Sequence, residues 1–299
     1  MTFDLSSKPL PSNDMDHIML HTEQAWQELR GARILITGGT GFFGRWILSS
    51  FVEADRLFNL KAKVYFLSRQ RRTHEDPSVT YIQGDIRTFS VPDGAHFTHV
   101  IHGAAPTSRD CPEMRDVIVK GTRHLVEDVM GGQAPKRLFI SSGAAETPDT
   151  PYGLAKYESE KIFSGNILRC YSFIGPGMPL DSHFAAGNFI RDALEGGPIH
   201  VKGDGRAVRS YMYMADLMII LWTRLVAIPR TSPLEVGSEE NVSIAELALM
   251  IAAEMAVPVV CEGEPEYGQG RVYIPTNADS SCYISLNQAI KRTLAWYRS

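Results

Sequence analysis

From residue 32 onward, short apolar runs rich in β-branched and aromatic residues alternate with longer stretches whose apolar residues recur at helical spacing. The runs RILIT (33–37), KVYFLS (63–68), VTYIQ (79–83), HVIHGA (99–104), RLFISS (137–142) and ILRCYS (167–172) predict strands. GRWILSSFVEADRL and DVIVKGTRHLVEDVM, lying between them, predict helices. Strand, helix and strand in repetition predict a doubly wound parallel α/β sheet with right-handed crossovers and helices on both faces. VYFL and RLFI are apolar throughout, as strands buried on both sides are. Ahead of this pattern, DMDHIMLHTEQAWQELRG sets Ile18, Ala25, Trp26 and Leu29 on one helical face and stops at Gly31.

Past about residue 178 the rhythm becomes irregular. A helix around NFIRDALEGG, a turn at KGDGR, a strand RSYMYM and a helix ADLMIILWTRLV follow one another. A short strand LEVG and the helices SIAELALMIAAEM and SLNQAIKRTLAWY complete the chain. The expected organisation is a polar lead and amphipathic helix over 1–30, then an α/β domain over 31–177 completed by about 209–237. A smaller, partly interleaved region takes 178–208 and 238–299.

The 299 residues are 44% hydrophobic and 21% charged, ordinary for a globular chain. Lys+Arg 30 against Asp+Glu 34 gives −4, so no global positive field is present to hold nucleic acid or an acidic membrane surface. Cys111, Cys170, Cys261 and Cys282 are scattered without a CxxC pair, and no His/Cys/Asp cluster has metal-ligand spacing, so no metal is expected. The longest apolar run, Leu217 to Trp222, is far too short for a membrane span. The first residues lack the basic and apolar run of a signal peptide, and a cytoplasmic protein is the expectation.

The first predicted strand runs into Thr37-Gly38-Gly39-Thr40-Gly41-Phe42-Phe43-Gly44 and then a helix. Three glycines at a strand-to-helix turn allow a tight turn, backbone approach to a pyrophosphate, and close seating of the helix on the sheet. The helix N-terminus adds unpaired N–H groups and a partial positive charge. No Gly-Lys-Ser/Thr follows, which disfavours a nucleoside-triphosphate loop and leaves dinucleotide binding. The second strand ends Leu67-Ser68-Arg69-Gln70-Arg71-Arg72, without the carboxylate that would receive an adenosine ribose. Arginine's fork suits a 2′-phosphate, so NADP is preferred and NAD stays possible. Asp85-Ile86 after the third strand is placed at the adenine, and Gly103-Ala104-Ala105 after the fourth passes close to the cofactor.

After the fifth strand come Ser141-Ser142 and then Tyr152-Gly153-Leu154-Ala155-Lys156. Tyrosine and lysine four apart share one helical face, so the ammonium can sit beside the phenol and favour its ionised form. The pair becomes a proton donor or acceptor for alcohol–ketone interconversion, with the serine hydroxyl orienting the substrate oxygen and hydride passing to or from a nicotinamide. His102, ending a strand, reads as a packed residue, and Met212 and Met214 as core. His183, in PLDSHF, stands in the presumed substrate region.

TGGTGFFG, GDIR, VIHGAA, SSGA, YGLAK, RCYSFIGP, GDGRAVRSYMYMADL and VGSEENVSIAEL, taken together, resemble the extended short-chain dehydrogenase/reductase family. Within it they resemble the nucleotide-sugar epimerase/dehydratase branch. The resemblance implies a Rossmann-type sheet with a C-terminal substrate-binding region for a nucleoside-diphosphate sugar. It implies Gly38, Gly41, Phe42, Phe43 and Gly44 at the pyrophosphate, Ser68, Arg69, Asp85 and Ile86 at the adenosine, and Gly103, Ala104, Ala105 and Tyr171 along the cofactor. Ser142, Tyr152 and Lys156 match the catalytic trio, with Tyr152 and Lys156 also touching the cofactor. Thr107, Ser172, Asn188, Arg209 and Arg271 match substrate positions. A homodimer through the helices flanking the active site is the family expectation.

The chain also departs from that pattern. Ser142 and Tyr152 are ten positions apart, where relatives carry a longer segment. Ile118, Ser172 and Glu235 stand where asparagine is common. The sugar 4,6-dehydratases it resembles place an Asp-Glu pair after the catalytic hydroxyl, whereas Gly143-Ala144 follows here. Decarboxylating relatives need a nearby glutamate, and Glu146 is out of register. Epimerisation and 4-ketoreduction remain as the expected chemistries. The alternatives are a dehydratase or decarboxylase with an atypical site, or a catalytically weak dinucleotide-binding regulatory or scaffold protein.

Overall fold

In the computed structural model, residues 8–92, 94–106, 111–131, 135–181, 184–264, 270–278 and 284–299 are described. The first half of the chain contains α1 (Ser12–Glu28), β1 (Arg33–Thr37), α2 (Phe42–Phe58), β2 (Lys63–Ser68), β3 (Val79–Gln83) and β4 (His99–His102). Then come α3 (Gly121–His124), set between π-helical turns at Asp116–Lys120 and Leu125–Val129, β5 (Lys136–Ser142), α4 (Pro151–Ile162) and β6 (Asn166–Cys170). The remainder comprises β7 (Ser172–Ile174), α5 (Ala185–Leu194), β8 (Ile199–Val201), β9 (Val208–Tyr213), α6 (Met214–Val226) and β10 (Leu234–Val236). It ends with β11 (Asn241–Ser243), α7 (Ile244–Met255), β12 (Val259–Cys261), β13 (Val272–Tyr273) and α8 (Leu286–Arg298).

Seven strands form one sheet in the order β10-β6-β5-β4-β1-β2-β3. The pairs β1–β2, β1–β4, β2–β3, β4–β5 and β5–β6 are all parallel, as the alternation of elements predicts. The order reverses between β1 and β4, and ligands of open α/β sheets bind outside the strand ends at such a switch point. Ile34, Leu35, Ile36, Val100, Ile101, Leu138 and Phe139 are fully buried, which accounts for the unbroken apolar runs.

Two units divide the chain. The first is Met1–Pro9, Asn13–Cys170 and Met218–Leu234; the second is Leu10–Ser12, Tyr171–Leu217 and Glu235–Ser299. In the first unit, the face of α1 read from the sequence is buried, and Trp26 and Leu29 are wholly enclosed. The Trp26 ring lies 4.4 Å from that of Trp222, whose indole N–H donates to Ser50 Oγ at 2.8 Å. Trp26 donates in turn to Thr22 Oγ1 at 2.8 Å, so both buried indole donors are satisfied.

In the second unit, β9 pairs antiparallel with β11 and parallel with β7 and β13, while β8 and β12 form a two-stranded parallel sheet. The α7 helix opens with a capping box in which Ser243 Oγ accepts from the Glu246 N–H and the Glu246 carboxylate from the Ser243 N–H.

Three predicted elements differ. HVIHGA stops pairing at His102, opposite Thr37 of β1, and the Gly103 N–H to Thr37 O bond is the last of that ladder. ILRCYS is two strands in two sheets: β6 ends at Cys170, Tyr171 donates its N–H to Val236 O, and β7 pairs with β9. DVIVKGTRHLVEDVM is helical but mostly of the wider π type. The Ile118 carbonyl there receives the Thr122 and Ser159 hydroxyls at 2.7 and 3.3 Å, and such side-chain donors compete with the helix ladder.

Candidate active site

β1 delivers its last residue, Thr37, to the sheet's C-terminal edge, and the chain turns at Gly38 with φ +77°. A Cβ on Gly38 would overlap the Gly103 carbonyl and stand 2.6 Å from Ala104 N, so glycine is required both by the backbone and by the crossing loop. Gly44 lies against the Gly39 carbonyl, seating α2 on the turn. Gly41 is different: it N-caps α2 with no side-chain cap, and a Cβ there would meet nothing within 4 Å. No protein neighbour demands glycine at 41, whereas a phosphate brought to the α2 amides would. The turn therefore leaves room for a phosphate at the α2 N-terminus.

The residues that the sequence assigns to the adenosine follow at the ends of β2 and β3. Ser68 is buried and its Oγ accepts from Gln70 N–H, while Arg69 and Arg71 are exposed. Arg72 is half-buried, and its Nε is enclosed without a hydrogen-bond partner. The Asp85 carboxylate is clasped by the Arg87 guanidinium, Nε to Oδ1 and Nη2 to Oδ2 at 2.9 Å each. These bonds, the Arg87 backbone N–H and the charge of Arg69 hold the carboxyl down at about 2. Sequence reasoning missed Arg87, although its place two residues after Asp85 in GDIR is a visible sign. Ile86 is buried in the core beside Leu67 and Ile82, and a Cβ on Gly121 would press on its side chain.

On the other side of β1, Ser142 ends β5 and accepts from Ala144 N–H at 3.2 Å, opening a 3-10 turn over Gly143–Ala145. Thr150 then caps α4 by accepting from Gly153 N–H at 3.0 Å, with Pro151 in the first turn. Gly153 rests on the Ala144 carbonyl, so the short segment brings the first turn of α4 directly onto the turn that follows Ser142. Half-buried Tyr152 packs in one apolar cluster with Ala105, Ile118 and Ala155, which links α4 to the loop after β4.

Lys156 is only 2% exposed. Its Nζ donates to Ile140 O at 2.9 Å and lies 4.8 Å from the Phe139 ring centre and 5.9 Å from that of Tyr152. Burial lowers its pKa from 10.5 to about 8, with Cys170 and Glu160 opposing, and the nearby Cys170 thiol is pushed by burial up to about 12. At pH 7 the ammonium still predominates by roughly ten to one. Folding lowers this pKa, so between about 8 and 10.5 the unfolded chain binds more protons and stability from this group rises with pH. At neutral pH the buried charge is a cost. Lys156→Met is expected to stabilise the fold at pH 7 by roughly 1–3 kcal/mol while removing turnover. Denaturant titration checks this, and a lower midpoint would show that the bond to Ile140 outweighs the burial.

A model of the NAD dependent epimerase/dehydratase family matches residues 34–237. The chain belongs to this family. A putative UDP-glucose 4-epimerase from Methanocaldococcus jannaschii is 25% identical over 314 residues, spanning 89% of this chain and 98% of that protein. A UDP-glucose 4-epimerase from Rickettsia canadensis is 31% identical over 143 residues, spanning 43% of this chain and 42% of that protein. Among solved structures, an epimerase from Methanothermobacter thermautotrophicus superposes with a TM-score of 0.74 at 19% identity, covering 94% of this chain and 96% of that one. A UDP-glucose 4-epimerase from Thermotoga maritima, solved with UDP-glucose, gives 0.72 at 20% identity, covering 89% and 98%. These superpositions show the shared Rossmann-like fold.

For this member of the epimerase/dehydratase family, the substrate positions read from the sequence fall in the second unit or outside the described residues. Arg209 stacks on Tyr273 at 5.6 Å and donates through Nη1 to Val208 O at 2.7 Å and Arg271 O at 2.9 Å. Tyr171 faces the same Tyr273 ring at 4.8 Å, so the structure gathers Tyr171, Arg209 and the Arg271 backbone around one tyrosine that sequence reading missed. The Arg271 side chain is exposed. Ser172 opens β7 opposite Tyr211, and half-buried Asn188 on α5 is not part of that group; its Oδ1 receives Arg191 Nη1 at 3.4 Å. The Glu235 carboxylate receives the Thr276 and Asn277 N–H groups at 2.5 and 3.0 Å. Thr107 and His183 lie outside the described residues. Met212 and Met214 are fully buried. Among the described residues no cluster is suited to a metal ion and no helix is long and apolar enough to cross a membrane.

Proposed function

We propose that this family member is an NAD(P)-dependent epimerase or 4-ketoreductase of a nucleoside-diphosphate sugar, with Ser142, Tyr152 and Lys156 as its catalytic residues. The observation that carries the reading is the enclosed Lys156 ammonium beside Tyr152, on the helix whose first turn rests on the turn after Ser142. A nicotinamide dinucleotide bound over the Gly38–Gly44 turn supplies hydride exchange with a sugar carbon. Tyr152 Oη removes the proton from a sugar hydroxyl or returns one to a sugar ketone. Lys156 favours the phenolate by its charge, and Ser142 Oγ donates to the same sugar oxygen and fixes its direction. Arg209 and Arg271 supply positive charge for the diphosphate.

Water elimination needs a further acid and base, and the positions after Ser142 are Gly143 and Ala144, which ionise nowhere. This supports redox and epimerisation over dehydration. The test is incubation with UDP-glucose and a panel of other nucleoside-diphosphate hexoses and 4-ketohexoses, with NAD or NADP, followed by mass spectrometry and NMR of the sugar. Interconversion of epimers or reduction of a ketone is expected. Bound dinucleotide without any conversion favours the second reading, a regulatory or scaffold protein, to which the ten-position Ser142–Tyr152 spacing speaks.

NADP is our assignment for the preferred dinucleotide, supported by exposed Arg69 and Arg71 and by the unpartnered Nε of Arg72. Arg69→Ala is expected to weaken NADP roughly 10- to 100-fold and NAD less than about twofold, the range for losing a charged hydrogen bond. Titration calorimetry with both dinucleotides distinguishes the two, and equal losses would remove the basic loop from cofactor choice.

A further inference from the structure

Beneath the glycine turn runs a line of buried side-chain hydrogen bonds that the proposed chemistry leaves unused. Thr37, His102 and Thr122 are exposed by 1%, 0% and 0%. Thr37 Oγ1 is 2.6 Å from His102 Nδ1, and His102 Nε2 is 2.9 Å from Thr122 Oγ1. Thr122 Oγ1 reaches Ile118 O at 2.7 Å, and Ala104 N–H reaches Thr37 Oγ1 at 3.4 Å.

Hydrogen accounting gives this line one direction. A carbonyl only accepts, so the single Thr122 hydroxyl proton goes to Ile118 O, and Thr122 Oγ1 must accept from His102 Nε2–H. Complete burial, with the Lys156 ammonium nearby, holds the imidazole down at about 3, so the ring is neutral and carries one proton, on Nε2. Nδ1 is then an acceptor and takes the Thr37 proton, which leaves the Thr37 oxygen turned toward the Ala104 N–H. The ring cannot rotate away from this arrangement easily, since it stacks on Phe139 and Phe163 at 5.2 and 6.0 Å, with interplanar angles of 16° and 18°.

The last donor in the line belongs to the loop that touches Gly38. Gly103 donates its N–H to Thr37 O at 3.0 Å and its carbonyl abuts the Gly38 Cα. Thr37 thus grips Gly103 through its backbone and Ala104 through its side chain, and the His102 ring sets where that side chain points.

We propose that Thr37, His102 and Thr122 are positioning residues for the dinucleotide: they hold the Gly103–Ala104 backbone in one place against the Gly38 turn and so set cofactor affinity without touching the cofactor. This rests on the dinucleotide-binding reading above.

The experiment compares the full chain with Thr37→Val, His102→Phe and His102→Asn, by calorimetric Kd for NAD and NADP and by Tm. Thr37→Val keeps the branched shape and leaves the Ala104 N–H and His102 Nδ1 without their partner. His102→Phe keeps the stack and removes both ring nitrogens. His102→Asn restores an amide oxygen where Nδ1 accepts from Thr37. The expected result is affinity about tenfold weaker for Thr37→Val and His102→Phe, equal for both dinucleotides, with His102→Asn recovering most of it. A lower Tm with unchanged Kd in Thr37→Val, measured where the variant is folded, would overturn the proposal and leave the line a packing device. Should His102→Phe fail to fold, Thr37→Val and His102→Asn decide the matter alone. Wild-type protein that binds neither NAD nor NADP would remove the dinucleotide reading and the proposal with it, an outcome distinct from a variant that binds as wild type does.

Discussion

Tyr152→Phe is expected to lower turnover of the sugar substrate by roughly 10²–10⁴-fold while leaving the Kd for the dinucleotide within about twofold of wild type. The phenol is assigned one task, carrying a proton to or from the sugar oxygen, and the ring without its hydroxyl still fills the cluster with Ala105, Ile118 and Ala155. Steady-state kinetics with direct binding measurements separate these effects. Equal loss of binding and turnover would mean that Tyr152 holds the cofactor rather than moving protons. Retained turnover would remove it from the mechanism. Lys156→Met serves as the companion, since it withdraws the charge beside the phenol and relieves the buried ammonium.

The second large effect concerns Gly38 and its contrast with Gly41. Gly38→Ala places a methyl into the Gly103 carbonyl at a φ of +77°, so strain and overlap act together. A destabilisation of roughly 2–4 kcal/mol is expected, with loss of dinucleotide binding. Gly41→Ala should leave stability within about 0.5 kcal/mol, because its methyl meets no protein atom and its φ of −101° suits any residue. Its dinucleotide affinity should nevertheless fall by about tenfold or more, since the methyl then stands where a phosphate must approach. Thermal melts and calorimetry on the two variants read both outcomes. Full affinity in Gly41→Ala would place the pyrophosphate elsewhere.

The central strands of the large sheet were legible because both of their faces are buried, which leaves an unbroken apolar run such as Ile34-Leu35-Ile36 in β1. The glycine turn and the Tyr152–Lys156 pair were equally legible, being local in sequence. What escaped was set by distant partners. β8, β11, β12 and β13 are two or three residues long, too short for any period, and exist because a neighbour supplies their hydrogen bonds. The switch of sheets after Tyr171 depends on β9, some forty residues away, with which β7 pairs. The first π-helical turn contains Ile118, whose carbonyl receives the Thr122 and Ser159 hydroxyls, contacts that no apolar periodicity reports. Tyr273 escaped for the same reason, since it matters through what it touches, whereas Arg87 stood in view in GDIR.

The tryptophan pair of the first unit bears on how the protein can be handled. The family match starts at residue 34, yet Trp222 packs against Trp26, upstream of that start, with the two rings tilted by 47°. A gene trimmed to the match would strip this cover and bare an indole edge to water, inviting self-association of an otherwise intact sheet. For this member, a fragment that begins ahead of α1 keeps the tryptophan pair whole.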